Sequence, residues 1–130
     1  MRAGWFIAIT VSAACTLAGA ARAEGDAEAG ELTFKKCRPC HSLGQPKRNT
    51  VGPDLTGVVG RKAANVAEFR GYSEPMKKLG EAGFIWTEQN LSRYLEEFGG
   101  FLAGTKPGLL GIRDKQEREN LIAYLRKAGN

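Results

Sequence analysis

The sequence predicts an all-α domain of three main helices, one short helix and two long loops. Apolar residues recur at helical spacing in capped segments, no run alternates as a strand would, and the stretches between are crowded with glycine and proline. A chain of 130 residues suffices for one domain and not two. A helical domain of this size with such loops is short of core, so something other than side chains must fill its middle.

The N-terminus stands apart from that domain. Met1 and Arg2 precede the uncharged run GWFIAITVSAACTLAGAA over 4–21, and Ala21-Arg22-Ala23 follows as a small-x-small exit. That order is a secretory signal peptide over 1–23, cleaved after Ala23, with the domain over 24–130. The alternative is a retained membrane anchor, since the run sits at the lower edge of spanning length. A lipoprotein reading at Cys15 is weaker, because Ser12 stands where an aliphatic residue belongs. Cleavage removes two arginines and no acid, so the net charge falls from +5 to +3. So mild a charge, in no single run, gives no ground for a nucleic-acid partner. It suits a patch that docks an acidic protein.

The elements follow in order. Asp26 is a helix cap, and Gly30, Phe34 and Cys37 fall on one face of the helix that runs into the next motif. Glycine there lets another helix approach closely. Residues 42–62 form the first loop, with Gly44, Pro46, Gly52, Pro53, Gly57 and Gly60. A short helix starts at Ser73, with Pro75 tolerated in its first turn. A third helix follows Thr87, with Leu91, Tyr94, Leu95 and Phe98 as its stripe and Trp86 positioned to staple onto Leu91. The second loop covers 99–111. Asp114 with Glu117 three residues on fits a capping box, and Leu121, Tyr124, Leu125 and Ala128 make the last stripe, stopped at Gly129.

Between the first helix and the first loop stands CRPCH, Cys37 to His41, which contains the chain's one histidine. Cys-x-x-Cys-His is the attachment pattern of c-type haem: each thiol adds to a vinyl group, and the adjacent imidazole is placed to bind iron. Other readings fit less well. A thioredoxin-like dithiol belongs beside a βαβ pattern. Structural zinc needs four ligands where three are present. A disulfide across three residues of a helix would be strained. A haem also fills the missing core, provided that donors meet its two propionates.

Further stretches sharpen this: VGPDLTGVVGRK at 51–62, YSEPM at 72–76, FIWTEQNLSRYLEE at 84–97, GTK at 104–106, and GI followed by ERENLIAYLRK at 117–127. With CRPCH they make the chain, over 25–128, resemble the class I c-type cytochromes, mitochondrial cytochrome c and bacterial cytochrome c2 among them. The resemblance implies three main helices, short helices and long loops wrapped around one covalent haem. It implies thioether attachment at Cys37 and Cys40, His41 as proximal axial ligand, and the Pro53 carbonyl as acceptor for its imidazole. It places Arg61, Tyr72 and Trp86 at the propionates, Tyr94 on the distal side, and Gly30 and Phe34 where the first helix crosses the last at Leu121 and Tyr124. Each has a plainer alternative: Trp86 and Tyr94 as core, Arg61 as a solvated loop charge.

The sequence departs from the family at the distal ligand. A methionine belongs directly after GTK, and here GTKPGLLGI puts Pro107 there. Proline offers iron no donor atom. Met76, in the YSEPM helix, is not expected to reach. The sixth site is then open or water-bound, held by Lys106 as a deprotonated amine, or filled by another group. Loss of a thioether ligand lowers the potential. The leading expectation is an exported, periplasmic electron carrier of lowered potential serving redox protein partners. Its rival is a haem protein that binds NO, CO or O2 as sensor or scavenger. Peroxidase-like chemistry has no second histidine or acid–base pair behind it. Lys35, Lys36, Arg38, Lys77, Lys78 and Lys106 lie in segments that border the exposed haem edge in this family, and are candidates to steer an acidic partner. Membrane contact is expected only through such a partner or an uncleaved signal.

Overall fold

In the computed structural model the described residues are 25–97, 101–102 and 111–129. The expected leader and its expected cleavage after Ala23, Phe98, most of the 99–111 loop, Lys106 and Pro107 lie outside them. Four helices are described: α1 over Ala27–Phe34, α2 over Glu74–Glu81, α3 over Glu88–Glu96 and α4 over Lys115–Lys127. The only extended pairing among the described residues is an isolated antiparallel bridge between Lys62 and Ile85.

Each helix begins at its expected cap. Asp26 accepts from the Glu28 and Ala29 amides, Ser73 from Met76, Thr87 from Asn90 and Asp114 from Glu117. Each bond satisfies an amide that has no partner within its helix. The box at Asp114 is not reciprocal, however. Glu117 turns to α1 and the turn after it, where its carboxylate accepts from Thr33 Oγ1 at 3.3 Å and Lys36 Nζ at 2.6 Å.

α1 and α4 cross in close contact, and Gly30 is the reason they can. A Cβ on Gly30 would lie 2.0 Å from the Asn120 carbonyl oxygen. The Asp26 amide also donates to Asn120 Oδ1 at 2.8 Å, which fastens the start of α1 to α4. Phe34 and Leu121 are the most deeply buried large side chains, and Phe34 packs on Tyr124 with ring centroids 5.6 Å apart.

α4 is buried more widely than its stripe predicts. Ile122 and Ala123 are buried beside Leu121 and Leu125, because α4 meets α3 as well as α1. Arg118 is buried too. Its Nη1 donates to the Ile112 and Arg113 carbonyls at 2.8 Å each, its Nε donates to Ser92 Oγ at 3.1 Å, and Nη2 lies 3.5 Å from Glu96. With the Ile112 amide on the Leu95 carbonyl at 2.8 Å, this ties the chain entering α4 to the end of α3.

Candidate haem site

α1 stops at Phe34, three residues before Cys37, so CRPCH lies in turns rather than in the helix itself. The Cys37 amide donates to Phe34 O at 2.8 Å, and those of Cys40 and His41 return to Cys37 O at 3.1 and 2.9 Å. Cys37 and Cys40 are half-buried, unbridged thiols. Burial pushes the Cys37 thiol up, with nearby Lys36 opposing and Cys40 adding to the rise. Among the described residues no group of three His, Cys, Asp or Glu side chains is placed to hold a metal ion. The described residues contain no βαβ unit, the setting in which a thioredoxin-like dithiol belongs.

The loop after His41 folds back and fastens onto it. Gly52 N donates to Cys40 O at 2.7 Å, Leu55 N to Ser42 O at 3.0 Å, and Gly44 N to Thr56 Oγ1 at 2.7 Å. Thr50 Oγ1 donates to Cys40 O at 2.6 Å. Between these rungs His41 Nδ1 lies 2.8 Å from Pro53 O. A carbonyl can only accept, so Nδ1 carries the proton and Nε2 keeps its lone pair for a metal. The ring has no slack against Gly52 either, where a Cβ would lie 2.3 Å from Cε1. A fixed imidazole with a bare Nε2 and two open thiols beside it are what covalent haem requires, so the residues fit the group.

Arg61 is held by the backbone of the same loop. Its Nη1 donates to Thr56 O at 3.2 Å and its Nη2 to Asp54 O at 3.0 Å. Burial pulls its pKa down, and Tyr72 and Asp54 oppose that. It lines a cavity of about 740 Å3 with Asp54, Thr56, Lys47 and Asn49, and a second cavity of about 410 Å3 opens at His41, Phe34 and Tyr124. Tyr72 stands near Arg61, its hydroxyl accepting from the Val66 amide at 3.2 Å.

Trp86 is in the core, and its backbone meets Arg61 through Trp86 N to Arg61 O at 2.9 Å. Its ring joins Phe84, Tyr94 and Phe101 in one aromatic cluster with centroid separations of 5.1 to 6.4 Å. Burial pushes the Tyr94 phenol up, so it stays a hydroxyl. Met76 sits in the first turn of α2, half-buried against the core.

The sequence reading missed Asp54, buried at 3% exposure, together with Ser42 and Thr56, which bond it. It also missed Gly52, which lies against the imidazole, and Arg118. The signal available was an acid between two family-matching stretches, which reads as a loop charge until the fold buries it.

An all-α fold with an imidazole fixed for a metal beside two thiols defines a covalent-haem protein. No protein-family model matches the chain. Relatives do. The cytochrome c2 of Agrobacterium tumefaciens (strain II Chrys) is 43% identical over 102 residues, 78% of this chain and 91% of that protein. The cytochrome c2 of Rhodospirillum rubrum is 40% identical over 134 residues, 97% and 98% of the two. Among solved structures, cytochrome c2 from Rhodospirillum centenum matches with a TM-score of 0.75 at 36% identity, covering 82% of this chain and all of that one. The chain belongs to the class I c-type cytochromes, in the cytochrome c2 group. Its cofactor is one covalent haem c, and its work is electron transfer rather than enzymatic turnover.

Proposed function

We propose that this cytochrome is an exported, periplasmic electron carrier whose haem is bound by Cys37 and Cys40 and ligated by His41, working at a potential lowered by the loss of the distal methionine. The observation that carries the proximal assignment is the 2.8 Å contact between His41 Nδ1 and Pro53 O. Bound there, the haem supplies a one-electron iron couple. Pro53 holds the imidazole's proton on Nδ1, Gly52 fixes the ring's tilt, and Arg61 with Tyr72 meets negative charge at the propionate edge. Tyr94, kept neutral by burial, lines the distal side. The wall of Phe84, Trp86 and Phe101 behind it is apolar, which limits solvent at the iron.

The distal assignment rests on the sequence. The chain's methionines are Met1 and Met76, and Pro107 follows GTK. Lys106, or a site open to a small ligand such as CO, NO or O2, is the second reading. It is favoured by Pro107-Gly108, a turn signal that redraws the loop as well as removing sulfur.

One set of spectra tests both. The oxidised protein should lack the near-infrared band of sulfur-to-iron ligation. The reduced protein should bind CO quickly if the site is open. If Lys106 is the ligand, binding should be slow, and Lys106→Ala or acid should accelerate it. Pro107→Met should raise the potential and suppress CO binding. A wild-type sulfur band would overturn the reading and point to Met76.

A further inference from the structure

The geometry points to Asp54 as a positioning residue that holds the potential down: its buried carboxylate, tied through Ser42 to the backbone of His41, favours the oxidised iron. This rests on His41 as the axial ligand.

Asp54 directly follows Pro53, whose carbonyl takes the imidazole proton. Ser42 directly follows His41, and its hydroxyl lies 2.5 Å from Asp54 Oδ2. The two contacts close a ring of covalent and hydrogen bonds running His41, Ser42, Asp54, Pro53 and back to His41. The same carboxylate accepts from Thr56 N at 2.9 Å, and the Asp54 amide donates to Asn49 Oδ1 at 3.0 Å. The Ser42 hydroxyl also faces the Arg48 carbonyl. It has one hydrogen and can serve one acceptor at a time.

No cation forms an ion pair with this carboxylate among the described residues. Arg61, the nearest guanidinium with a bond to Asp54, spends that bond on the backbone carbonyl. Lys47 and Glu68 only share the cavity wall. Aspartate is almost never fully buried without a charged partner. Burial pushes the Asp54 carboxyl up, but hydrogen bonds from Ser42, Thr56 and the Arg48 backbone outweigh it and hold it below the ordinary aspartate range. The charge is therefore present, held by neutral donors, and poorly screened by solvent. Oxidation adds a positive charge at the iron, and a fixed negative charge on the same loop stabilises that state more than the reduced one. Arg61 feels the Asp54 charge, but its guanidinium bonds the backbone carbonyls of Asp54 and Thr56, so among the described residues no cation pairs with the carboxylate and cancels it.

Asp54→Asn tests this on the haem-loaded protein. The new amide can still accept from Thr56 N and can donate to Ser42 Oγ, whose proton then goes to the Arg48 carbonyl. The shape survives and the charge does not, so the midpoint potential should rise with helical content unchanged. Ser42→Ala is the control. It keeps the charge and removes a donor, so its potential should stay at or below that of the wild type. A general loosening of the loop would move both variants the same way. An unchanged or lower potential in Asp54→Asn overturns the proposal, as does a rise in both variants. If Asp54→Asn does not take up haem, Ser42→Ala decides alone, and a rise in its potential overturns it. A wild-type spectrum without histidine ligation would remove the ligand assignment itself. An unchanged potential with His41 still ligated removes Asp54 only.

Discussion

The loop around His41 and the aromatic cluster around Trp86 are held by different forces. Residues 40–56 are laced by hydrogen bonds between specific pairs: Cys40 with Gly52 and Thr50, His41 with Pro53, Ser42 with Asp54 and Leu55, Gly44 with Thr56. The cluster of Phe84, Trp86, Tyr94 and Phe101 is held by tilted and edge-on ring contacts spread over large surfaces. Hydrogen bonds are directional, so the first region fixes a ring orientation. Ring packing tolerates a change of shape at graded cost, so the second region fixes a volume. A ligand whose electron donation sets a potential belongs in the first kind of region. A wall that excludes water can be the second.

The largest expected effect breaks the comparison at its root. Replacing both Cys37 and Cys40 by Ala should leave no haem attached after acid-acetone extraction and a denaturing gel, while Trp86→Phe should keep it. Haem staining in the double variant would mean attachment elsewhere.

Next comes the cost of volume. Trp86→Ala removes the hub of the cluster and should destabilise the protein by about 3–5 kcal/mol, lowering the melting temperature by roughly 12 °C or more. The melt is to be read on haem-loaded protein. A loss near that of a surface substitution would show that the cluster is not part of the cooperative core.

Gly52→Ala sharpens the contrast. Its Cβ would fall 2.3 Å from the His41 ring, so the ring or the loop must shift. Overpacking of this kind costs about 1–3 kcal/mol, less than the tryptophan. Yet it should move the potential, which Trp86→Phe should leave nearly unchanged. Equal shifts in potential from the two variants would erase the distinction between orientation and volume.

The difference between these regions also explains what could be read beforehand. The caps at Asp26, Ser73, Thr87 and Asp114 were legible because capping is a local bond between a side chain and an amide two or three residues on. Gly30 was legible because helical spacing places it with Phe34 on the face that meets α4. Asp54, Ser42 and Thr56 were not, since their bonds cross twelve residues or link loop positions that have no period. Arg118 was missed for a related reason. A charge on a helix reads as solvent-facing until four acceptors from α3 and the segment before α4 converge on it. Ile122 and Ala123 read as off-stripe because periodicity assumes one neighbour and α4 has two.

The smallest expected effect lies on the surface, where neither kind of constraint acts. Six cations were candidates to steer an acidic partner, and three of them are already paired: Lys36 with Glu117 at 2.6 Å, Arg38 with Glu31 at 3.6 Å and Lys77 with Glu74 at 2.7 Å. No ion pair holds Lys35 or Lys78 among the described residues. A cation beside its own carboxylate contributes little field at the distance where partners are captured, so steering should fall to the unpaired ones. Lys35→Ala and Lys78→Ala should each slow bimolecular electron transfer with an acidic donor at low salt, and flatten its salt dependence. Lys36→Ala should change the rate less. It would cost stability of about 0.2–1 kcal/mol, as expected for an exposed pair. If Lys36→Ala slows transfer as much as Lys78→Ala does, pairing with Glu117 does not silence that charge. The partner must then displace the carboxylate on docking.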